Sequence, residues 1–134
     1  MLNLSHLKII AVGKVKKQWI QSGINIYQKR LPGLRITEIK DSTQQKEATA
    51  IKQIIKKNEL LITLNEKGKS FTSKEFAVKL QESNNQPLSF AIGGASGLSH
   101  EVDDRASWQL SLSSLTFPHE LAQLLLLEQI YRAQ

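Results

Sequence analysis

Apolar residues along this chain fall into two alternating rhythms. Compact runs at Leu7 to Val12, Leu34 to Ile39, Leu60 to Leu64 and Leu88 to Ile92 have the length and β-branched content of strands. Between them the apolar positions recur at helical spacing. Trp19, Ile20, Ile24 and Tyr27 predict a helix over Lys17 to Arg30, closed by Pro32-Gly33. Ala48, Ile51, Ile54 and Ile55 predict another over Lys46 to Lys57, entered through the capping residues Asp41-Ser42-Thr43. Ser73 caps a third that runs through Leu80, Asn84 to Pro87 is a loop, and a leucine-rich helix covers Glu120 to Ala133. Strands that alternate with helices imply an α/β fold: a mostly parallel sheet with helices on both faces.

The last third carries the candidate chemistry. The strand ending at Ile92 breaks into Gly93-Gly94-Ala95-Ser96-Gly97-Leu98. Glycines there let backbone turn tightly and let a ligand come close. The run from Leu110 to Thr116 repeats that layout, apolar residues giving way to hydroxyls before Pro118 opens the last helix. In parallel sheets ligands collect beyond the carboxyl ends of the strands. That rule groups Leu64 to Gly68, Gly93 to Leu98 and Leu112 to Pro118 into one expected site. The alternative is that each is only a tight strand-to-helix turn.

Competing motifs fail on spacing. Gly68-Lys69-Ser70 ends like a phosphate-binding loop, but Thr63 stands where its first glycine is required, so the segment reads as a turn. Gly93-Gly94-x-x-Gly97 is not a dinucleotide fingerprint, His100-Glu101-x-x-Asp104 lacks the second histidine of a zinc helix, and no serine sits in G-x-S-x-G. No metal is expected.

With 134 residues the chain fits one domain over its whole length, burying roughly 65 to 70% of its unfolded surface. It has no cysteine, its first residues do not resemble a signal peptide, and its apolar runs are too short to span a bilayer; a cytoplasmic protein with no membrane partner is expected. The net charge of +6 is unevenly spread. Met1 to Lys57 holds 12 Lys and Arg against 3 acids, whereas Asn58 to Gln134 holds 6 against 9. The basic half, with Lys14, Lys16, Lys17 and Lys29, is therefore a candidate polyanion-docking surface, or a solvated face.

Ile92-Gly93-Gly94-x-x-Gly97-Leu98, Leu112-Ser113-x-Leu115-Thr116-Phe117-Pro118-His119 and Leu127-Glu128-Gln129-Ile130-Tyr131-Arg132-Ala133 resemble the ribosomal RNA large subunit methyltransferase H family of the SPOUT superfamily. Ile10-Ala11-Val12-Gly13-Lys14 and Tyr27-x-Lys29-Arg30-Leu31 extend the resemblance nearly end to end. It implies a C-terminal trefoil knot and S-adenosylmethionine as cofactor, held by Leu64, Gly93, Leu112, Ser113, Ser114, Leu115, Thr116 and Phe117. The implied reaction is methylation at N3 of the pseudouridine at position 1915 of 23S ribosomal RNA within the ribosome. Arg132 is the implied catalytic residue, stabilising the anionic base or holding a phosphate, and His119 is a weaker candidate. A homodimer through the leucine-rich helix is implied, in keeping with apolar positions on more than one side of it; burial in its own core is the other reading. Family members run on into a tail ending in Tyr-His, and this chain ends at Gln134. Cofactor binding with poor methyl transfer is thus the expectation. The alternative is a non-catalytic RNA- or ribosome-binding module on the same scaffold.

Overall fold

The computed structural model describes residues Met1–Gln134. Five strands, β1 (Leu7–Val12), β2 (Arg35–Ile39), β3 (Leu60–Ser70), β4 (Leu88–Ile92) and β5 (Trp108–Ser111), form one sheet in the order β2-β1-β4-β3-β5. Every pairing is parallel. The connections are helices: α1 (Gln18–Arg30), α2 (Gln44–Ile54), α3 (Ser73–Ser83) and α4 (His100–Arg105), with α5 (His119–Ala133) following β5.

Side-chain alternation sorts these helices onto two faces. Leu7 and Ile9 of β1 and Leu88, Phe90 and Ile92 of β4 point into the larger core with α1, α3 and α5. Ile10, Val12 and Ala91 point the other way, against Ala48 and Ile51 of α2 and Val102 of α4. β4 is buried along its whole length, and its large residues all face the side with three helices. Ser89 and Ala91 keep the opposite face shallow enough for α2 and the short α4.

α5 lies between α1 and α3. Gly23 admits it on one side, since a Cβ at that position would stand 3.0 Å from Leu124 Cδ1. On the other, Ser73 Oγ donates to Gln129 Oε1 at 2.7 Å and Gln81 Nε2 donates to the Ala133 carbonyl at 3.2 Å. Leu126, Leu127 and Ile130 are fully buried in the chain's own core, and Leu121 and Leu124 pack against it. Much of the apolar surplus that the sequence leaves for a partner is thus already covered by α1 and α3.

Three elements differ from the sequence expectation by more than one residue at a boundary. α2 begins at Gln44 because Thr43 is its cap, accepting from the Lys46 amide, and it ends at Ile54. α3 is capped by Thr72 rather than Ser73, in a reciprocal pair with Glu75. β3 does not stop at Leu64. Leu64 and Lys69 both stand opposite Leu110, so residues 65–68 bulge out and Lys69 and Ser70 rejoin the ladder. Gly68-Lys69-Ser70 is therefore strand and not turn. Gly68 permits this, because a Cβ there would meet the Gln109 carbonyl oxygen at 2.7 Å.

The amino-terminal edge of the sheet is tied by a buried ion pair. Lys8 Nζ of β1 lies 3.4 Å from Glu59 Oε1. Ser89 Oγ of β4 donates to the same oxygen, and the Lys56 amide donates to Glu59 Oε2 at 2.9 Å. Burial pushes the Glu59 carboxyl up, but these hydrogen bonds and the Lys8 ammonium outweigh it and hold the group below its usual range. A depressed carboxyl contributes stability that is full above its unfolded value of about 4.3 and is lost as pH falls through the lower folded value. Glu59→Gln is expected to cost about 3 kcal/mol at pH 7, because it strands the Lys8 charge. In urea titrations the gap to wild type should narrow as pH falls below about 4.3; a gap that stays constant would contradict this account.

Candidate functional site

Because every strand runs the same way, the carboxyl ends of β3, β4 and β5 share one edge. A cavity of about 800 Å³ opens there. Its walls are Leu64, Asn65 and Glu66 from the β3 bulge, residues 93–98 after β4, and Leu112, Ser113 and residues 115–118 after β5. Asp103 of α4 and His119 and Ala122 of α5 complete it.

Gly93 is required by close packing. A Cβ there would lie 2.7 Å from the Gly97 carbonyl carbon and 2.8 Å from the Leu98 nitrogen, both backbone atoms that cannot step aside. Its φ is not positive; that conformation belongs to Gly97, at +74°. The turn closes through the Gly97 amide, which donates to the Gly94 carbonyl at 3.0 Å, and Gln44 Nε2 of α2 donates to the Ser96 carbonyl at 3.0 Å.

The segment after β5 is pinned to the β3 bulge. Ser111 Oγ donates to the Glu66 carbonyl at 3.1 Å, and Thr116 Oγ1 donates to Glu66 Oε2 at 2.6 Å. Within the loop the Leu115 amide donates to Ser113 Oγ at 3.0 Å. The amides of Ser114, Thr116 and Phe117 have no acceptor in the chain, which leaves them available to a ligand.

Two carboxylates and one imidazole stand in the wall, and neither lysine nor arginine does. Burial pushes the Asp103 carboxyl above its usual range, with the Thr63 hydroxyl and His100 pulling the other way. Asp103 Oδ1 and Thr63 Oγ1 are both buried and neither makes a hydrogen bond of good geometry. His119 Nε2 is likewise buried and unpartnered; it faces Gly13, where a Cβ would lie 3.3 Å from it. Beside it, Glu120 Oε1 accepts from the amides of Lys16 and Lys17 at 2.7 and 3.0 Å, which caps the start of α1 and holds the Glu120 carboxyl below its usual range.

Of the residues singled out in the sequence, Leu64, Gly93, Leu112, Ser113, Leu115, Thr116 and Phe117 converge on the cavity, while Ser114 is exposed outside its lining. Arg132 is not brought to it. Its guanidinium pairs with Glu128 at 2.8 Å, near the far end of α5, about 20 Å from His119 at ~1.5 Å of rise per residue. Lys14, Lys16 and Lys17 lie near the cavity end of β1, and Lys29 sits in the last turn of α1, so the basic half is not one patch. Sequence reasoning placed Asn65 and Glu66 at the site, within Leu64 to Gly68, but as the end of a strand and not as a bulge in one that continues. It missed Asp103 because nothing in a short helix says which face meets a neighbouring cavity.

A family model described as "Predicted SPOUT methyltransferase" matches residues 5–134. The ribosomal RNA large subunit methyltransferase H of Prochlorococcus marinus (strain NATL2A) is 67% identical over 134 residues, which are 100% of this chain and 92% of that protein. That of Parasynechococcus marenigrum (strain WH8102) is 55% identical over 133 residues, covering 99% and 92%. The chain belongs to the ribosomal RNA large subunit methyltransferase H family of SPOUT methyltransferases. A solved structure shares the fold. The SpoU methyltransferase AviRb from Streptomyces viridochromogenes, in complex with the cofactor AdoMet, superposes with a TM-score of 0.55 at 12% identity, covering 98% of this chain and 59% of that one. In this SPOUT chain the Gly93 contact sets a clear expectation. Gly93→Ala should destabilise the fold by roughly 1 to 3 kcal/mol through backbone overlap, whereas Gly94→Ala, which faces the Val12 side chain at 3.3 Å, should cost less than about 1. Urea titration of the two variants checks the order, and equal costs would contradict it.

Proposed function

We propose that the cavity binds S-adenosylmethionine and that the protein, as a homodimer, methylates N3 of the pseudouridine at position 1915 of 23S ribosomal RNA. The observation that carries this reading is the pair of unpaired amides at Thr116 and Phe117, in the wall opposite the Gly93 turn across a space without a cationic side chain. Its volume of about 800 Å³ falls in the range of small-molecule sites, roughly 300 to 1,000 Å³. The orphaned Asp103 oxygen supports the fit of a ligand carrying donors or positive charge. The trefoil knot belongs to the same reading, supported by the bonds from Ser111 and Thr116 to the β3 bulge.

When bound, the cofactor supplies a methyl group already activated by its sulfonium. The chain then has two tasks: to hold donor and base in line, and to receive the proton that N3 gives up as the N3–methyl bond forms and the sulfur–methyl bond breaks. The amides of Thr116 and Phe117 and the Gly93 turn serve the first. The wall offers His119, its one imidazole, and the carboxylates Glu66 and Asp103 as groups able to take the proton, directly or through water.

Arg132 cannot reach the cavity of its own chain. A role beside the reacting base therefore calls for a second copy whose α5 ends over this cavity. Trp19 and Ile26, 61% and 50% exposed on α1 beside α5, offer apolar area for that contact.

Titration calorimetry should detect S-adenosylmethionine binding without added metal; a folded protein giving no heat would contradict the cofactor assignment. Methyl transfer should be assayed on ribosomes lacking the modification. The expected product is 3-methylpseudouridine in 23S RNA; a methyl group on another nucleotide would overturn the substrate. Replacing Lys14, Lys16 and Lys17 with Glu should weaken binding to ribosomal particles and flatten its dependence on salt. Unchanged binding would return those lysines to the solvated surface.

A further inference from the structure

The chain carries a net charge of +6, yet the wall of its cavity holds Glu66 and Asp103 and no lysine or arginine. Asp103 is the more constrained of the two. Its Oδ1 is buried without a partner, and Oδ2 has only the Asn65 amide at 3.5 Å, itself committed to Gln109 Oε1 at 3.1 Å. Beside it the Thr63 hydroxyl, on a residue with no exposed surface, makes no well-formed hydrogen bond either, though it is near enough to favour the ionised carboxylate. Asp103 has no ion pair, those of the chain being Lys8–Glu59, Lys52–Glu101 and Arg132–Glu128, and His100 acts on it only from a distance. A carboxylate held this way is costly unless something brought into the cavity answers it. Burial pushes this carboxyl upward, and the Thr63 hydroxyl and His100 offset that only in part.

Glu66 stands at the exposed rim, with one oxygen taken by Thr116 Oγ1 at 2.6 Å. Both carboxylates therefore border the same space, and any ligand there feels a negative field with no cation in the wall to cancel it. The donor and spent forms of the cofactor differ by one methyl group and one positive charge. Such a field separates them.

We infer that Asp103, with Glu66 at the rim, is a specificity determinant that makes the cavity hold the cationic methyl donor in preference to the neutral thioether product. This rests on the cofactor assignment proposed above. Transfer of the methyl group to N3 removes the sulfonium charge, and the same step removes the attraction, so the product leaves more readily than the donor.

The test is calorimetric titration of wild type and Asp103→Asn with three ligands: S-adenosylmethionine, S-adenosylhomocysteine, and sinefungin, which replaces the sulfonium with a carbon bearing an amine. Wild type should bind the two cationic ligands at least fivefold more tightly than the thioether. Asp103→Asn should weaken both cationic ligands roughly five- to tenfold and leave S-adenosylhomocysteine within about twofold. Parallel loss of all three, or no change in any, would overturn the inference while leaving the cofactor assignment standing. Failure of wild type to bind any of the three would overturn both. Should Asp103→Asn not fold, Glu66→Gln carries the same comparison at the other carboxylate, with the same selective loss expected and a uniform effect counting against it.

Discussion

The site depends on how closely two stretches of backbone approach one another at the end of β4. At 2.7 Å from the Gly97 carbonyl carbon there is no room for even a methyl group on residue 93. That contact folds the segment up to Leu98 back on itself and keeps the carboxyl edge of the sheet open. The same device recurs at Gly68 against the Gln109 carbonyl, where it lets β3 bulge and rejoin its neighbour. Two glycines chosen for close approach thus shape two of the cavity's three walls. The third is held by hydroxyl groups instead, Ser111 and Thr116 reaching across to Glu66.

Around this edge the fold separates its polar work by position. At the amino-terminal edge, Lys8, Glu59 and Ser89 satisfy one another, and this network ties β1 and β4 to the entry of β3. At the carboxyl edge, Asp103, Thr63 and His119 keep buried polar atoms without partners. Buried polar groups are nearly always satisfied in folded proteins, so orphans gathered at one end mark where something else is bound. One edge of the sheet is built for stability and the other for a ligand.

Much of this was legible in the sequence. The strands β1 and β4 fall where the apolar runs place them, because central strands buried on both faces read as unbroken apolar stretches. Gly93 and the segment from Leu112 to Phe117 were legible as well, since small residues and hydroxyls interrupt strong apolar patterns there. The β3 bulge was not, because residues 65–68 carry no period and the pairing that takes Lys69 and Ser70 back into the sheet is made with a strand forty residues away. Asp103 was invisible for a related reason: its meaning comes from what α4 packs beside, not from its neighbours in sequence. Arg132 was legible as part of a motif but not in its placement. The motif says what the residue accompanies, and only the length of α5 shows that it stands at the opposite end from the cavity of its own chain.

The central claim is that the turn after Gly93 and the loop after β5 form one cradle for S-adenosylmethionine. Amide hydrogen exchange with and without S-adenosylhomocysteine tests it most directly, because the free amides of Ser114, Thr116 and Phe117 report the contact themselves. The account predicts new protection at residues 93–98 and 112–117 together, with β1 and the Lys8–Glu59 edge unchanged. Protection confined to another surface, or binding that leaves both segments exchanging as before, would contradict it.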